Sequence, residues 1–434
     1  MKTKKTGFVL ILIIISVGQL TAQENMQLSL KDAVKMALSN SDQSKILDLN
    51  ITSAKNKLAS VKSIQYPDVK LSGQYNYLTN ANANLNLGES SSTAPPKVND
   101  LLLGQLNISV PLFSGFKIKN SIKASSNNYT AATLQTENGK EQLSMQTIET
   151  YINLYKSEKA IRLVSENLKS AKQRVIDFSN MEENGLLAKN DLLKVKLQEA
   201  SIELTLSKAK KNAYMLNYQL VEFLKLPENT KISIDNLNFK NVIELPKSDT
   251  LVTRADTKAI EYQLMAAKNE VKVAKSSYYP SVGLSGGYAA LKLGDLLTVY
   301  NAMNVGVGIS YNFSNIFKNK SQVEMAKINA DELNYQLDKL KVAVNVQVEN
   351  ANQEYTLALS NLNVYEQSEI QAVENYRIVN DKFANGLADT RDLLEADVQQ
   401  LQSKINKENA KASVLLAYYK LENAKGNLIS KILN

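Results

Sequence analysis

The sequence contains no cysteine, no histidine and no tryptophan in 434 residues. Without cysteine there is no disulfide framework, no thiolate nucleophile and no lipid-modified cysteine at a mature N-terminus. Without histidine, the commonest general base and the commonest transition-metal ligand are both missing. No nucleophile, base and stabilising group converge elsewhere in the sequence. We therefore expect neither an enzyme nor a bound cofactor, and the same absences argue against a dedicated soft-metal site.

The excess of positive charge is modest, with 51 basic against 43 acidic residues. Three of the basic residues, Lys2, Lys4 and Lys5, precede an apolar run of about ten residues that begins at Phe8. Leu20-Thr21-Ala22 follows with a small residue for cleavage, so residues 1–22 are typical of a secretory signal peptide. A transmembrane helix would need roughly 20 apolar residues. The remaining charge is spread along the chain, which argues against nucleic-acid binding, and we expect export beyond the inner membrane.

The chain carries an internal duplication. The segment that begins Ala54-Lys55-Asn56 recurs 213 positions later at Ala267-Lys268-Asn269, with 12 of 22 aligned residues identical. A second match lies 201 positions apart and joins Asn184-Gly185-Leu186 to Asn385-Gly386-Leu387. We expect a first structural repeat over residues 23–226, a connector over 227–253, a second repeat over 254–426 and a tail over 427–434.

Each repeat is predicted to contain a helix, two strands and a long helical hairpin. Tyr66-Pro67 and Tyr279-Pro280 mark the helix-to-strand transitions, because proline excludes the preceding residue from the α region. The strands follow from strict alternation, in which the residues of one face are apolar: Val69, Leu71, Tyr75 and Tyr77; Leu106, Ile108, Val110 and Leu112; Val282, Leu284, Tyr288 and Ala290; Val305, Val307, Ile309, Tyr311 and Phe313.

Four strands of about ten residues, apolar on one face and small or polar on the other, are typical of a transmembrane barrel. A soluble sandwich is the alternative for any single strand. Four strands cannot close a barrel, because open edges in lipid leave backbone groups unpaired. Several copies of the chain must then contribute, and residues Leu78–Asp100 and Leu291–Asn301 are expected to form outward-facing loops.

Proline is scarce, and none falls within residues 116–181 or 316–382. Each stretch is predicted to be one helix on the order of 100 Å long. Apolar residues recur in the second stretch at steps of three and four, as in a coiled coil: Leu333, Leu337, Leu340, Val344, Val348, Ala351, Tyr355, Ala358, Leu362 and Tyr365. Each helix should end at the Asn-Gly-Leu motif, where Asn or Gly takes the left-handed conformation. Leu186 and Leu387 are then exposed at two hairpin tips, which predicts a shared docking surface.

The order of helix, Tyr-Pro, two strands, long helix, Gly-Leu turn and returning helix, given twice, resembles the TolC family of outer-membrane factors. The resemblance covers nearly the whole mature chain. It implies a mainly α fold in which each protomer of a homotrimer gives four strands to a 12-stranded β-barrel and long helices to a coiled-coil periplasmic tunnel. It also implies an outer-membrane exit duct for efflux or type I secretion, docked through its tips to a periplasmic adaptor protein and an inner-membrane transporter.

The resemblance further implies an acidic ring at the periplasmic aperture, formed here by Asp392 and Glu395, which lie one helical turn apart. The alternative is that both are solvated acids favoured by the helix dipole. In the family a tyrosine bonded to an aspartate helps to latch the closed state. Asp191 is present here, but Phe383 occupies the tyrosine position and Ala388 replaces a common arginine. We expect packing or the nearby Arg391 to hold the closed state instead.

Two other functions remain open from the residues alone. A periplasmic adaptor also contains long helical hairpins, but it would show one hairpin flanked by split β-domains. A secreted coiled-coil structural protein would leave the alternating strands unexplained. The cargo of a duct could be a drug, a metal ion, a detergent or a protein.

Overall fold

The computed structural model describes residues 25–79, 81, 98–234 and 254–433, and helices dominate these ranges. The helices are α1 Leu30–Asn40, α2 Asp42–Ser63, α3 Lys117–Glu183, α4 Lys189–Leu224, α5 Ala255–Lys275, α6 Asn315–Lys318, α7 Lys320–Ala384, α8 Thr390–Ala424 and α9 Leu428–Leu433. The strands are β1 Asn25–Leu28, β2 Asp68–Tyr77, β3 Asp100–Ser114, β4 Lys231–Ile234, β5 Ser281–Leu293 and β6 Leu297–Ser310. A short 3-10 helix, Ser276–Tyr278, follows α5.

The two long helices confirm the prediction from proline scarcity. The 67 residues of α3 and the 65 residues of α7 each form one uninterrupted helix, although α6 stands apart before α7. The predicted signal peptide, residues 1–22, lies outside the described residues. No helix within the described ranges combines the length and the apolar character that crossing a membrane requires.

The described residues divide into two compact units. The first unit contains residues 25–41, 146–234 and 358–416. In it β1 pairs in parallel with β4, and the hydroxyl of Tyr151 donates a 2.7 Å hydrogen bond to the carbonyl of Leu28. Leu28 and Tyr151 belong to a buried cluster that also includes Leu220 and Leu224 of α4. The paired strands therefore rest on the helices through a shared apolar core.

The second unit contains the four-stranded sheet and the helix segments joined to it. The strands are antiparallel in the order β2-β3-β5-β6. Register pairs Val69 with Ile108, Ile108 with Gly286, and Gly286 with Val305, so the predicted apolar residues within the strands share one face. The prediction is wrong for Tyr311 and Phe313, which follow the end of β6 at Ser310, where the chain turns into α6. That face is largely exposed to solvent, and the side chain of Val305 is 82% accessible. An apolar sheet face that no described part of the chain covers fits contact with lipid.

Helix packing in the second unit follows the predicted coiled-coil seam. Every seventh residue of this part of α7 is buried: Val323, Ala330, Leu337, Val344 and Ala351. Leu337 and Ala330 pack with Leu264 and Ala267 of α5. A repeat of seven residues keeps one side of a long helix facing its neighbour, as these buried residues do.

One seam assignment in the first unit is wrong. Tyr365 was predicted to be buried in the seam, but it is 36% exposed, and its neighbour Glu366 takes the half-buried position. The physical reason is electrostatic, because Lys407 of α8 forms an ion pair with Glu369 and also attracts Glu366. This stretch of α7 therefore presents acids, and not Tyr365, to α8.

The prediction that Leu291–Asn301 forms a loop is also wrong. Strand pairing continues to Leu293, which lies opposite Leu297, so only residues 294–296 separate β5 from β6. Gly294 adopts a φ of 48°, which a tight turn requires and which glycine tolerates without steric cost. In the first repeat, residues 80 and 82–97 of the predicted loop lie outside the described residues. The same holds for residues 235–253 of the predicted connector.

Candidate functional site

The two hairpin turns have the same backbone structure. After α3, the N–H of Leu186 donates to the carbonyl of Met181 and the N–H of Gly185 donates to that of Glu182. After α7, Leu387 and Gly386 repeat both bonds. Gly185 and Gly386 have φ values of 73° and 70°, in the left-handed region that closes a helix in the Schellman motif. The duplicated Asn-Gly-Leu sequence therefore encodes one turn twice.

The asparagine of each turn strengthens the helix end. The side-chain amide of Asn184 donates to the carbonyl of Asn180, and that of Asn385 donates to the carbonyl of Asp381. The leucines that follow are left in solvent, with Leu186 74% and Leu387 77% exposed. The two leucines therefore offer apolar surface on turns whose backbone hydrogen bonds are made.

The helices that return from the turns begin differently. Asp389 accepts a 2.9 Å hydrogen bond from the backbone N–H of Asp392, which caps α8. This bond lowers the pKa of Asp389, and the nearby charge of Arg391 lowers it further. The corresponding position before α4 is Ala188, whose side chain carries no acceptor. The second turn is consequently the more acidic of the two.

Asp392 and Glu395, the predicted aperture acids, both lie in the first turns of α8 and are exposed. Leu393 and Ala396 beside them are buried, so the carboxylates lie on the side of α8 away from its packing contacts. Arg391 approaches Asp392 at 3.9 Å and Asp389 at 3.8 Å, and its side chain is exposed. Asp392 and Glu395 thus share an exposed side of α8, and the charges of Arg391 and Lys194 both act on the neighbouring Asp389.

The three predicted latch residues do not meet. Asp191 pairs with Lys194 of its own helix at 3.0 Å, and Arg391 contacts acids of its own turn. Phe383 instead stacks on Phe178 of α3, with ring centroids 5.3 Å apart and planes inclined by 3°. Both rings belong to an apolar cluster that includes residues from each of the four helices, such as Leu192 and Leu393. Aromatic packing, one of the two expected alternatives, connects the hairpins here.

Sequence reasoning missed a buried ion pair near the same turns. Nη1 of Arg174 in α3 lies 3.0 Å from Oδ2 of Asp397 in α8, and the second guanidinium nitrogen donates to the hydroxyl of Tyr376 in α7. Burial disfavours the charged guanidinium, but the hydrogen bond and the charge of Asp397 outweigh burial and raise the pKa of Arg174. A signal was present, since Arg174 falls three residues after buried Ala171 and four before buried Phe178.

The junctions between helices and strands contain either proline or left-handed backbone. Pro67 lies between α2 and β2, and Pro280 lies just before β5. Between β3 and α3, Gly115 and Phe116 both have positive φ, and a Cβ on Gly115 would lie 2.4 Å from the carbonyl oxygen of Ser276. The ring of Phe116 packs edge-on against Tyr279. The Gly115 junction was not predicted, because the second repeat has no glycine at the equivalent position.

The fold and both turns can be compared with known proteins. The family model for outer membrane efflux proteins matches residues 33–224 and 247–427, which together make up most of the chain. The chain belongs to the outer membrane efflux protein family. The two matched segments also coincide with the two halves that carry the Asn-Gly-Leu turns.

Curated relatives of this outer membrane efflux protein are distant in sequence. The cation efflux system protein CusC of Escherichia coli strain K12 is 22% identical over 320 residues, which are 70% of this chain. The chain spans 66% of the length of CusC.

Solved structures share the fold of the chain. The CmeC outer membrane channel of Campylobacter jejuni superposes with a TM-score of 0.78 at 19% identity, covering 93% of this chain and 88% of CmeC. The outer membrane protein VceC of Vibrio cholerae gives 0.76 at 19% identity, covering 92% of this chain and 96% of VceC. The predicted fold class is confirmed: a mainly helical channel-tunnel chain with a small set of strands.

Proposed function

We propose that this chain is one protomer of a trimeric outer-membrane channel-tunnel, the exit duct of a tripartite efflux pump or of a type I secretion system. The observation that carries the proposal is the four-stranded sheet with one exposed apolar face, joined at Pro67, Gly115 and Pro280 to long helices. Backbone groups in lipid must be paired within protein. The outer edges of β2 and β6 have no partner strand among the described residues. Three copies would satisfy those edges in one 12-stranded barrel.

The periplasmic end is the functional site of this duct. Three copies of α8 would bring Asp392 and Glu395 together as six carboxylates around one opening. A ring of carboxylates attracts cations and repels anions at a constriction. The exposure of both side chains and the burial of Leu393 and Ala396 behind them support this arrangement.

The hairpin tips are the surface for partners. We assign Leu186 and Leu387, with the turns that hold them, to docking with a periplasmic adaptor protein that links the duct to an inner-membrane transporter. Both leucines are exposed on turns fixed by duplicated hydrogen bonds, so binding would order few additional groups. The duct itself performs no reaction, and the chain would reach the outer membrane by a cleaved signal peptide over residues 1–22, without lipidation.

Single-channel conductance of the detergent-extracted protein in planar bilayers tests the proposal. Wild type should show small, stable, cation-selective conductance that divalent or trivalent cations block. Asp392→Ala/Glu395→Ala should relieve the block, because the binding carboxylates are removed. Glu349→Ala/Glu354→Ala serves as the matched control, since it removes two exposed acids of α7 that lie far from the turns.

The possible results separate the parts of the proposal. Block that persists in Asp392→Ala/Glu395→Ala would retain the duct and reject the acidic ring. Equal relief in the control would mean that net charge, not the ring, governs block. A protein that forms no channel and needs no detergent for extraction would reject the duct and favour a soluble coiled-coil protein.

A further inference from the structure

The inner face of the four-stranded sheet, opposite the exposed apolar face, changes character along the strands. At the end nearest the helices, register aligns three rows of small or polar residues: Asp68, Ser109, Ser285 and Gly306; Lys70, Asn107, Gly287 and Asn304; Ser72, Gln105, Ala289 and Ala302. Residues paired across a sheet share one face, so each row runs across the inner face. This part of the inner face is the polar surface that strict alternation in the sequence predicts.

The two rows at the other end of the sheet are different. Each row begins with an amide side chain on β2 and continues with three aliphatic residues: Gln74, Leu103, Leu291 and Val299; Asn76, Leu101, Leu293 and Leu297. We call the six aliphatic residues the apolar band. Successive residues of a strand point to opposite faces, so Leu101 and Leu103 lie on the inner face while Leu102 lies on the outer face. The alternation that predicted the strands therefore stops here, and β3 is apolar on both faces.

The outer face at this level indicates where the band would lie in a membrane. Tyr75 pairs with Leu102, and Lys292 pairs with both Leu102 and Thr298. Aromatic residues form girdles at the membrane surfaces of barrels, and a lysine reaches out of the hydrocarbon with its charged end. The helices join the sheet at its opposite end, and the short turn from β5 to β6 lies beyond the band. In the proposed barrel the band would therefore lie inside the outer mouth.

The band presents uncharged aliphatic surface on the inner face. Leu297 is 47% exposed, and the other five residues are half-buried. Within the described residues, the extensive contacts of these strands are with one another, so no described helix packs over the band. Aliphatic surface that lines a water-filled passage is unfavourable, and contact with the hydrocarbon part of another molecule removes it from water. The band therefore fits an apolar group and offers no ligand for an ion.

We propose that the apolar band is a binding site inside the outer mouth, which retains the hydrocarbon part of uncharged amphiphilic molecules as they leave. The inference rests on the duct proposed above and assigns a selective surface to its exit. Gln74 and Asn76, at the margin of the band on β2, offer amide donors and acceptors to the polar head group of such a molecule. An ion without an apolar part gains nothing from this surface, in contrast to the carboxylates of Asp392 and Glu395.

Thiol labelling tests this site, since the chain contains no cysteine of its own. Gln74→Cys places one exposed thiol beside Leu103. In protein reconstituted in lipid nanodiscs, we would measure the rate at which a sulfonated maleimide labels this thiol. Hexyl β-D-glucoside should slow labelling several-fold, because its alkyl chain would occupy the band. Glucose has the same head group without the alkyl chain, so it should leave the rate unchanged.

Two variants and a second reporter make the test specific. Leu103→Ser/Leu291→Ser removes the centre of the band, so hexyl glucoside should no longer protect the thiol at position 74. Ala289→Ser/Ala302→Ser changes the same face one row away and should retain full protection. Asn107→Cys places an equally exposed thiol in the polar part of the inner face, where hexyl glucoside should have no effect.

The possible results separate this site from the duct itself. Protection that persists in Leu103→Ser/Leu291→Ser, or that is equal at Asn107→Cys, would overturn the site. Labelling of Gln74→Cys that is far slower than that of Asn107→Cys without any additive would show that the chain itself covers the band, and would also overturn it. Conductance of the same preparation in planar bilayers completes the test. A channel without protection by hexyl glucoside would retain the duct and reject the site, whereas a protein that forms no channel would reject both.

Discussion

The guanidinium of Arg174 and the carboxylate of Asp397 form a buried ion pair between the two hairpins, with 3.0 Å between Nη1 and Oδ2. The side chains are 9% and 4% exposed. Tyr376 accepts a further hydrogen bond from Arg174, and Asn167 donates one to Asp397. Three helices, α3, α7 and α8, are thereby joined through one polar network.

Removal of one partner should destabilise the hairpins strongly. In Asp397→Leu the guanidinium of Arg174 would remain buried without its counter-ion, and loss of one partner from a buried pair costs about 3–5 kcal/mol. Hydrogen exchange of the α3 and α8 segments should report faster opening. The double variant Arg174→Met/Asp397→Leu should recover much of the loss, because no buried charge remains.

Arg377 provides the matched control for this prediction. It pairs with Glu374 and Asp381 on the exposed side of α7 and directly follows Tyr376 in the sequence. Exposed ion pairs contribute little to stability. Arg377→Met should therefore leave exchange nearly unchanged, and an effect equal to that of Asp397→Leu would contradict the assigned role of burial.

The elements that the sequence predicts are those that local patterns encode. Alternation in Val69–Tyr77 predicts β2, and recurrence at steps of three and four predicts the buried side of α7. The Arg174–Asp397 pair could not be predicted from such patterns, because its two residues are 223 positions apart. They meet only when α3 packs against α8. Arg174 at a seam position signals a buried cation but does not identify the anion.

The wrong assignments have the same origin. Tyr365 continues the apolar recurrence, yet the charge of Lys407 on another helix favours Glu366 on the packed side. Gly294 forms a tight turn, but no proline and no change in composition marks where the turn begins and ends in the sequence. The predicted loop is therefore longer than the three residues observed. Local sequence patterns predict helices and strands well. Where the structure differs from the prediction, contacts between segments distant in sequence are the reason.

Phe383, and not Arg391, should hold the periplasmic end closed. Phe383 stacks on Phe178 within an apolar cluster, and such aromatic pairs contribute about 0.5–1.5 kcal/mol beyond area burial. Phe383→Ala should raise single-channel conductance and cellular sensitivity to large solutes. Arg391→Ala should change both little, because Arg391 is exposed and contacts only acids of its own turn.

Phe383→Leu separates ring stacking from burial. Leucine keeps most of the apolar contact but removes the stacked ring, so conductance between the wild-type and Phe383→Ala values is expected. Higher conductance in Arg391→Ala than in Phe383→Ala would reverse the assignment and make Arg391 the closing residue.

The loss of stability on replacing a glycine with alanine should depend on the φ of that glycine and on the space around the added Cβ. Gly185→Ala places a Cβ at a φ of 73° with no other described atom within 4 Å, so only backbone strain of about 1–2 kcal/mol is added. Gly115→Ala adds a clash with the carbonyl of Ser276 to a φ of 61°. In thermal unfolding of the protein in detergent, Gly115→Ala should lower the melting temperature more than Gly185→Ala does.

Gly73→Ala is the control for the glycine series. Its added Cβ meets no described atom within 4 Å, and its φ does not lie in the left-handed region. A melting temperature close to wild type is expected. Equal decreases in melting temperature in Gly73→Ala and Gly115→Ala would show that neither the positive φ of Gly115 nor its close approach to Ser276 causes the loss of stability.

The C-terminal helix α9 should dock more firmly in mild acid than at neutral pH. The carboxylate of Glu141 accepts the backbone N–H of Ile429, but burial of Glu141 dominates and raises its pKa above the ordinary value of 4.5. A raised carboxyl pKa means that folding favours the protonated form. The contribution is therefore fully present below the unfolded pKa and is lost as pH rises through the folded pKa.

Glu141→Gln tests this pH dependence, because the amide oxygen can still accept the Ile429 N–H and carries no charge. Hydrogen exchange of the segment 428–433, corrected for the intrinsic effect of pH, should show protection that falls with rising pH in wild type and stays constant in the variant. Glu137→Gln is the control, since Glu137 is exposed one turn away on the same helix. Protection of α9 that is lost with rising pH in Glu141→Gln as it is in wild type would assign the pH dependence to another group.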